Sequence, residues 1–289
     1  KTPEARASEP VAVDAVAPAT APAAPKLPAW KTPEYTEEKA AAPAGAALRA
    51  EDAEDPRVTK AREATLAYLG SLPNYYCKEN IARYVSTSTP VSWRAVDLLS
   101  MALVYEKGRE RYTNITINGK PAKKGMEEMS GSWSTGEFAT VLQDLFHEST
   151  AAEFRLLRTA SIAGRDATVF DFEVDQANSH WRVQVPGQVF MPAYKGSVWI
   201  DKETSKVLRV EMQARKVPKA FPLDTVESAV EFGFVRIGDQ QFLLPTHAEI
   251  LSCVRGTSDC SRNVIDFRNY HKYSGESTIT FSDSDIIYK

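Results

Sequence analysis

Four histidines are the side chains of this sequence with the broadest chemical use, since imidazole can bind a metal or transfer a proton near neutral pH. They are His147, His180, His247 and His271. Each falls in a different predicted element, and their spacing is not that of metal ligands. We therefore interpret each of them as a surface or boundary residue, and we predict no metal site.

Asp171 and Glu173 are a second candidate, because two neighbouring carboxylates can act as general acid and base. They lie two residues apart on one predicted strand, beside expected arginine neighbours, and this favours a solvated ladder of salt bridges. The sequence also lacks a glycine-rich phosphate loop after a strand, a Gly-x-Ser-x-Gly motif and a His-Glu-x-x-His motif. We therefore predict no catalytic residues, no cofactor and no enzymatic activity.

The cysteines favour an oxidising compartment. Cys253 and Cys260 flank a polar loop between two strand-like segments, and opposite positions of a hairpin bring Cβ atoms within disulfide range. A disulfide there is the favoured prediction, and two reduced thiols in a cytosolic hairpin are the alternative. Cys77 has no histidine or second cysteine close to it in the sequence, so we predict a buried, small apolar residue.

Composition divides the chain into two parts. Residues 1–55 are rich in proline and alanine and carry a net charge of −4, which predicts an extended, semi-rigid arm or linker. Residues 56–289 have a net charge of +1 and are enough for one domain. There is no basic face for nucleic acid and no apolar run of the roughly 18 residues that span a bilayer. The arm and the disulfide together favour a periplasmic or secreted protein.

Most of the predicted elements are strands. Gly196–Glu211 predicts two antiparallel strands with a turn at 202–205, because apolar and polar residues alternate on both sides of a polar stretch. Asp55-Pro56 and the Ser134–Glu137 capping box start predicted helices at 57–70 and 135–147. The predicted strands are 75–85, 96–106, 109–118, 153–160, 165–175, 180–185, 194–201, 207–214, 225–236, 240–253, 260–273 and 276–281.

The strands carry mixed charges on one face and a broad apolar surface on the other. Two helices are the main elements available to cover that apolar surface. We therefore predict an α+β fold, in which a strongly curved antiparallel sheet forms an open half-barrel and two main helices cover its concave face.

The pattern Gly-x-Val-Trp-Ile-Asp-x-Glu-Thr-x-x-Val-Leu-Arg at Gly196–Arg209 resembles the LolA/LolB-like family of bacterial periplasmic proteins. The resemblance covers roughly residues 57–281. More narrowly, Leu72–Cys77, Phe242–Pro245 and Asp266–Tyr270 are similar to segments of uncharacterised secreted acidobacterial proteins.

The resemblance implies a half-barrel whose helices plug the concave side, and an apolar cavity between sheet and helices that takes a lipid or an acyl chain. The candidate cavity residues are Phe138, Leu142, Phe170, Phe172, Val198, Ile200, Leu208, Val210, Phe232, Phe234 and Phe267. Such aromatic and aliphatic side chains could equally fill the interior, because protein interiors are close-packed.

The sequence leaves two functions open. The first is a non-catalytic binder of a hydrophobic ligand in the cell envelope. The alternative is a structural or accessory subunit of an envelope or extracellular complex, held to a protein partner by the arm at residues 1–55.

Overall fold

The computed structural model describes residues 54–106, 109–123, 125 and 140–273. Apart from Glu54 and Asp55, the predicted arm lies outside these residues, and so do the Ser134–Glu137 capping box, Phe138 and the predicted strand at 276–281. The assignment of residues 1–55 as an arm and of 56–289 as one domain stays a prediction.

Two α-helices are formed by the described residues. Helix α1 spans Pro56–Ser71, and helix α2 spans Thr140–Phe146. The Asp55 carboxylate accepts a hydrogen bond of 2.9 Å from the backbone N–H of Arg57, and Pro56 occupies the first turn, as predicted. No helix in this part of the chain is both long and apolar enough to cross a bilayer.

The described residues form thirteen strands. Where a strand was predicted, the predicted and observed ends agree to within two residues, with one exception. The predicted strand at 180–185 is wrong in its first half, because only Val183–Val185 is extended and paired. The strands are β1 Tyr75–Ser86, β2 Arg94–Glu106, β3 Arg109–Ile117, β4 Lys120–Pro121, β5 Glu153–Ile162, β6 Arg165–Val174, β7 Val183–Val185, β8 Gln188–Phe190, β9 Ala193–Asp201, β10 Val207–Arg215, β11 Leu223–Ile237, β12 Gln240–Val254 and β13 Cys260–Lys272.

Eleven of these strands form one antiparallel sheet in the order β4-β3-β2-β1-β13-β12-β11-β10-β9-β6-β5. Strands β4 and β5 are the two edges and do not pair with each other, so the sheet is a curved, open half-barrel, which confirms the predicted fold class. Strands β7 and β8 form a separate two-stranded hairpin between β6 and β9. The sequence did not predict this hairpin.

The inner, concave face of the sheet carries a row of directly paired apolar residues that crosses eight strands. Each residue in the row is at most 1% exposed. Opposite residues share a face of a sheet, so the row is a single apolar surface. In sheet order it runs Leu99, Ile81, Ile265, Ala248, Val230, Val210, Val198 and Phe170.

The outer face carries the charge pairs that the alternation predicted. Arg209 on β10 donates to Glu211 on its own strand and to Glu231 on β11. Arg262 on β13 donates to Glu249 on β12 at 2.7 Å. Opposite charges on adjacent strands support one register of pairing over a slipped one.

Asp201 explains why the turn at 202–205 follows Trp-Ile-Asp. Its side chain is almost fully buried, and its Oδ1 accepts the backbone N–H groups of Glu203 at 2.9 Å and Thr204 at 2.8 Å. Arg165 from β6 also donates to this carboxylate. Burial acts to raise the pKa of Asp201, but these hydrogen bonds outweigh it and lower the pKa to about 2.

The cysteines lie where the sequence predicted. Cys253 and Cys260 are directly paired on β12 and β13 and form a disulfide. Cys77 is a buried free thiol on the inner side of β1, opposite Leu103. Burial raises the pKa of this thiol far above its usual range, which keeps it protonated and unreactive.

Candidate functional site

The predicted cavity residues that the structure describes all lie in one hydrophobic core. Strands β6, β9 and β10 each contribute a pair of them, strand β11 contributes Phe232 and Phe234, β13 contributes Phe267 and helix α2 contributes Leu142. All are buried except Phe234, which is partly buried and packs against the same core. Phe138 lies outside the described residues. Their assignment as ligand contacts stays a prediction.

The interior is tightly filled around Phe172. Its ring centroid lies 5.9 Å from that of Phe154 and 6.1 Å from that of Tyr194. Gly196 lies beneath the ring, and a Cβ at that position would come within 2.8 Å of Phe172 and 1.8 Å of the Glu211 carbonyl oxygen. Only glycine therefore allows β9, β10 and Phe172 to approach so closely.

Two clefts lined by described residues lie away from this core. The larger, of about 500 Å³, is lined by polar and charged residues of the β5–β6 and β9–β10 turns, including Arg165, Asp201 and Glu203. A second, smaller cleft follows β1 at Ser86–Ser88. The predicted cavity residues line neither cleft, so in this structure they pack against one another.

Helix α1 covers this core with small side chains. Its buried residues are Val58, Ala61 and Thr65, while Leu66 is 44% exposed. Tyr68 and Leu69 are partly buried against the core. The helix therefore removes little apolar surface from water compared with the strands below it.

Polar contacts at its edges hold α1 in place. Arg62 donates a 2.6 Å hydrogen bond to the carbonyl oxygen of Phe146, at the end of α2. The Tyr68 hydroxyl donates to the carbonyl oxygen of Leu243 on β12. The Arg57 guanidinium lies 5.2 Å from the centroid of the Phe170 ring, a cation–π contact with the sheet. If the helix moves, water can replace the partners of the two hydrogen bonds and can hydrate the Arg57 guanidinium.

The inner face also carries polar side chains that the sequence did not indicate. Glu79 and Arg83 flank Ile81 on β1 and are buried, and so is Asn263 opposite Arg83 on β13. Arg83 makes a bidentate ion pair with Asp97, with distances of 2.7 and 2.6 Å. Charged residues in a strand are ordinarily solvent-exposed, and their place on the apolar face of an alternating strand is the signal that could have identified them.

Two of the four histidines meet in space. The rings of His147 and His180 are 6.3 Å apart, and the Ser149 hydroxyl lies between them, 2.7 Å from Nδ1 of His147 and 3.4 Å from Nε2 of His180. Burial raises the pKa of the nearby Asp144 carboxyl. Within the described residues, no group of three or more histidine, cysteine or acidic side chains is arranged to hold a metal ion.

The other two histidines lie in the sheet. His247 on the outer face is hydrogen-bonded to Asp266 at 3.1 Å and to Glu249 at 3.3 Å, and these carboxylates raise its pKa to about 9. His271 stacks on Tyr76 across the β1–β13 pair, with ring centroids 5.1 Å apart. Both arrangements bind the strands together.

No protein-family model and no curated protein matches the chain. Among solved structures, an outer membrane lipoprotein-sorting protein domain from Vibrio parahaemolyticus is 12% identical with a TM-score of 0.40, over 76% of this chain and 94% of that one. A LolA superfamily protein from Nitrosomonas europaea is 13% identical with a TM-score of 0.31, over 76% and 93%. The lipoprotein LppX from Mycobacterium tuberculosis is 8% identical with a TM-score of 0.26, over 77% and 97%.

These structures include a LolA superfamily protein, and the sequence resembles the same family. The narrower likeness to secreted acidobacterial proteins stays a prediction. At these identities and TM-scores, the function has to be inferred from the residues of this chain.

Proposed function

We propose that this protein is a non-catalytic component of the bacterial cell envelope, periplasmic or secreted, that binds an acyl chain or another lipid-like ligand on the inner face of its sheet. One observation carries the proposal. A buried apolar row crosses eight strands, whereas α1, which covers it, fully buries only Val58, Ala61 and Thr65 and packs Tyr68 and Leu69 partly against the core. An apolar surface of this extent under a weakly apolar helix is suited to a ligand that replaces the helix.

The energetics favour such a replacement. Moving α1 aside exposes the buried Val58, Ala61 and Thr65, the partly buried Tyr68 and Leu69, and the apolar sheet surface beneath them, which the ligand then covers. The helix side chains alone account for a loss of roughly 5–8 kcal/mol. Each methylene of an acyl chain that enters contributes about 0.8 kcal/mol. A chain of about ten methylenes or more therefore offsets the displaced helix contacts, and the ligand binds by exchange even though the interior of the structure is filled.

The residues that would contact the ligand lie nearest to α1 on the inner face. Phe170 is the best placed, because Arg57 of α1 already rests on its ring. Val198 and Val210 continue the same row on β9 and β10. The partly buried Phe234 lies beside Lys206, whose ammonium group is 5.6 Å from its ring centroid, at the edge of the surface.

The test is a titration with a naturally fluorescent fatty acid, together with mass spectrometry of lipids extracted from the purified protein. Tyr68→Phe removes the hydrogen bond from α1 to Leu243, so we expect faster uptake of the fatty acid than in the wild type. Leu66→Ala is the matched control, since Leu66 is exposed on the same helix. No saturable uptake, and no extracted lipid, would contradict the proposal.

The filled interior favours a second candidate, an accessory subunit whose function depends on the arm at residues 1–55. The two candidates differ in which part of the chain is needed. A chain of residues 56–289 should take up the fatty acid as the full chain does if the first proposal holds. If neither chain takes it up, and assembly with a purified partner requires residues 1–55, the second candidate replaces the first.

A further inference from the structure

The β7–β8 hairpin has its own small core, separate from that of the large sheet. Val183 of the hairpin packs with Phe221 and Val226, and the Phe190 ring lies 5.7 Å from that of Phe221. Trp181 packs edge-on against Tyr194 at 5.6 Å. The aromatic residues of this region thus face inward and fix the hairpin on the main sheet.

The outer surface of the hairpin carries exposed apolar side chains beside the exposed Gln184 and Gln188. Val189 in β8 and Met191 directly after it are each 48% exposed. The neighbouring loop adds the exposed Pro218, Ala220 and Pro222. Protein-binding hot spots are enriched in aromatic side chains, whereas here the aromatics are turned inward.

The charges around this surface are mainly positive, although the chain as a whole has a net charge of −3. Residues 175–192 and 214–224 contain four cationic side chains and two acidic ones, and Arg255 lies against the same loop. The carboxylate of Asp175 is already 3.7 Å from the ammonium group of Lys216. The cationic residues are Arg182, Arg215, Lys216 and Lys219, and the acidic residues are Asp175 and Asp224.

Arg255 gives the loop a fixed shape. Its guanidinium donates to the carbonyl oxygens of Phe221 at 3.1 Å, Pro218 at 3.2 Å and Leu223 at 2.9 Å. Among the described residues, no carboxylate forms an ion pair with this guanidinium, so its positive charge adds to that of the loop. The loop and the hairpin are therefore a preformed, cationic surface with exposed apolar side chains.

We propose that this surface, formed by residues 181–191 and 215–222, docks on an anionic lipid bilayer. Exposed valine and methionine enter the headgroup region of the bilayer, and the surrounding lysine and arginine side chains pair with lipid phosphates. The inference does not depend on a ligand in the interior, since it concerns the outside of a different part of the molecule.

The experiment is co-sedimentation of the full chain with vesicles of phosphatidylcholine mixed with phosphatidylglycerol, and with vesicles of phosphatidylcholine alone. We expect binding to the mixed vesicles that weakens as salt is added. Lys216→Ala and Lys219→Ala should each weaken binding about fivefold. The double variant Val189→Ser/Met191→Ser should weaken it by roughly tenfold or more.

Leu156→Ser/Leu157→Ser is the matched control, because these two leucines are 55% and 51% exposed on the edge strand β5. That variant should bind as the wild type does, and circular dichroism melts should show that all variants are folded. No binding to the mixed vesicles overturns the proposal, as does equal binding to both kinds of vesicle. A change of oligomeric state in the hairpin variant, without a change in vesicle binding, would assign the surface to a second copy of the chain instead.

Discussion

The sheet and the helix that covers it are built in different ways. The inner face of the sheet joins eight strands through directly paired, fully buried apolar residues, with Phe170 at one end and Leu99 at the other. Helix α1 fully buries two small apolar side chains and a threonine and packs Tyr68 and Leu69 partly against the core. It is further fixed by hydrogen bonds from Arg62 and Tyr68 and by a cation–π contact. The sheet is therefore held mainly by packing, and the helix by limited packing together with polar contacts at its edges.

This difference indicates where the molecule can move. Segments with few buried apolar contacts open at a lower free energy than the core does, without global unfolding. We expect α1 to open while the strands stay paired. Substitutions in the sheet should then change global stability, and substitutions in α1 should mainly change local opening.

The largest effect is expected for Phe170→Ala, which empties the one aromatic position of the apolar row, where the side chain is fully buried. Loss of a fully buried phenylalanine costs about 3–5 kcal/mol in free energy of unfolding, and urea denaturation would measure it. Leu156→Ala on the neighbouring strand β5 is the control, with an expected cost below about 1 kcal/mol because Leu156 is 55% exposed. Equal costs would show that the row is not the core of the fold.

The charged cluster around His247 should make the stability of the sheet depend on pH. The folded pKa of about 9 lies above the ordinary value of 6.5, so the stabilisation is complete below about pH 6.5 and is lost as the pH rises through about 9. We expect the free energy of unfolding to fall by up to about 3 kcal/mol over this window.

The variant His247→Gln separates this effect from the titration of other groups. Buried Tyr75, Tyr270 and Cys77 also have raised pKa values, but they are present in both proteins. Urea denaturation of the two proteins at about pH 6 and about pH 10 would therefore isolate the contribution of His247. If both lose stability equally, the cluster does not act as described.

The disulfide between Cys253 and Cys260 should have an effect of intermediate size. It joins residues seven positions apart, and closing so short a loop stabilises the folded state by about 2.5 kcal/mol through the entropy of the unfolded chain. The double variant Cys253→Ser/Cys260→Ser should lower the free energy of unfolding by about that amount. Wild-type protein in a reducing agent should match the variant, and a wild type that is insensitive to reductant would contradict this expectation.

The smallest global effect is expected for Tyr68→Phe in α1. One hydrogen bond to the Leu243 carbonyl is lost, at a cost of about 1 kcal/mol or less. Hydrogen exchange should show the change in α1 alone. If strands β10 and β11 also lost protection, α1 and the sheet would form one cooperative unit.

The strands could be predicted because alternation of apolar and polar residues is a local property of the sequence. It indicated Val198 and Ile200 as inward-facing and placed the turn after Asp201. It could not show that Asp201 is buried. The partner that makes this burial favourable is Arg165, which lies in the β5–β6 hairpin. Which charged side chains meet depends on the order of strands in the sheet.

Contacts that depend on the order of the elements in space also explain which residues of the candidate site the sequence did not indicate. Glu79 lies on the apolar face of β1, but a glutamate in an alternating strand is ordinarily exposed. His147 and His180 meet only because the chain between them, through β5 and β6, returns to the end of α2. The β7–β8 hairpin was missed because its strands are three residues long, which is too short for a periodic pattern.

Displacement of helix α1 by a ligand is tested most directly by amide hydrogen exchange. The full chain would be measured with and without a saturating long-chain fatty acid. We expect amides of α1 to exchange orders of magnitude faster than those of β10 and β11 in the free protein. The fatty acid should change the exchange of α1 while the strands stay protected. The proposed displacement of α1 would be contradicted if its amides were as protected as those of the central strands and if the fatty acid did not change them.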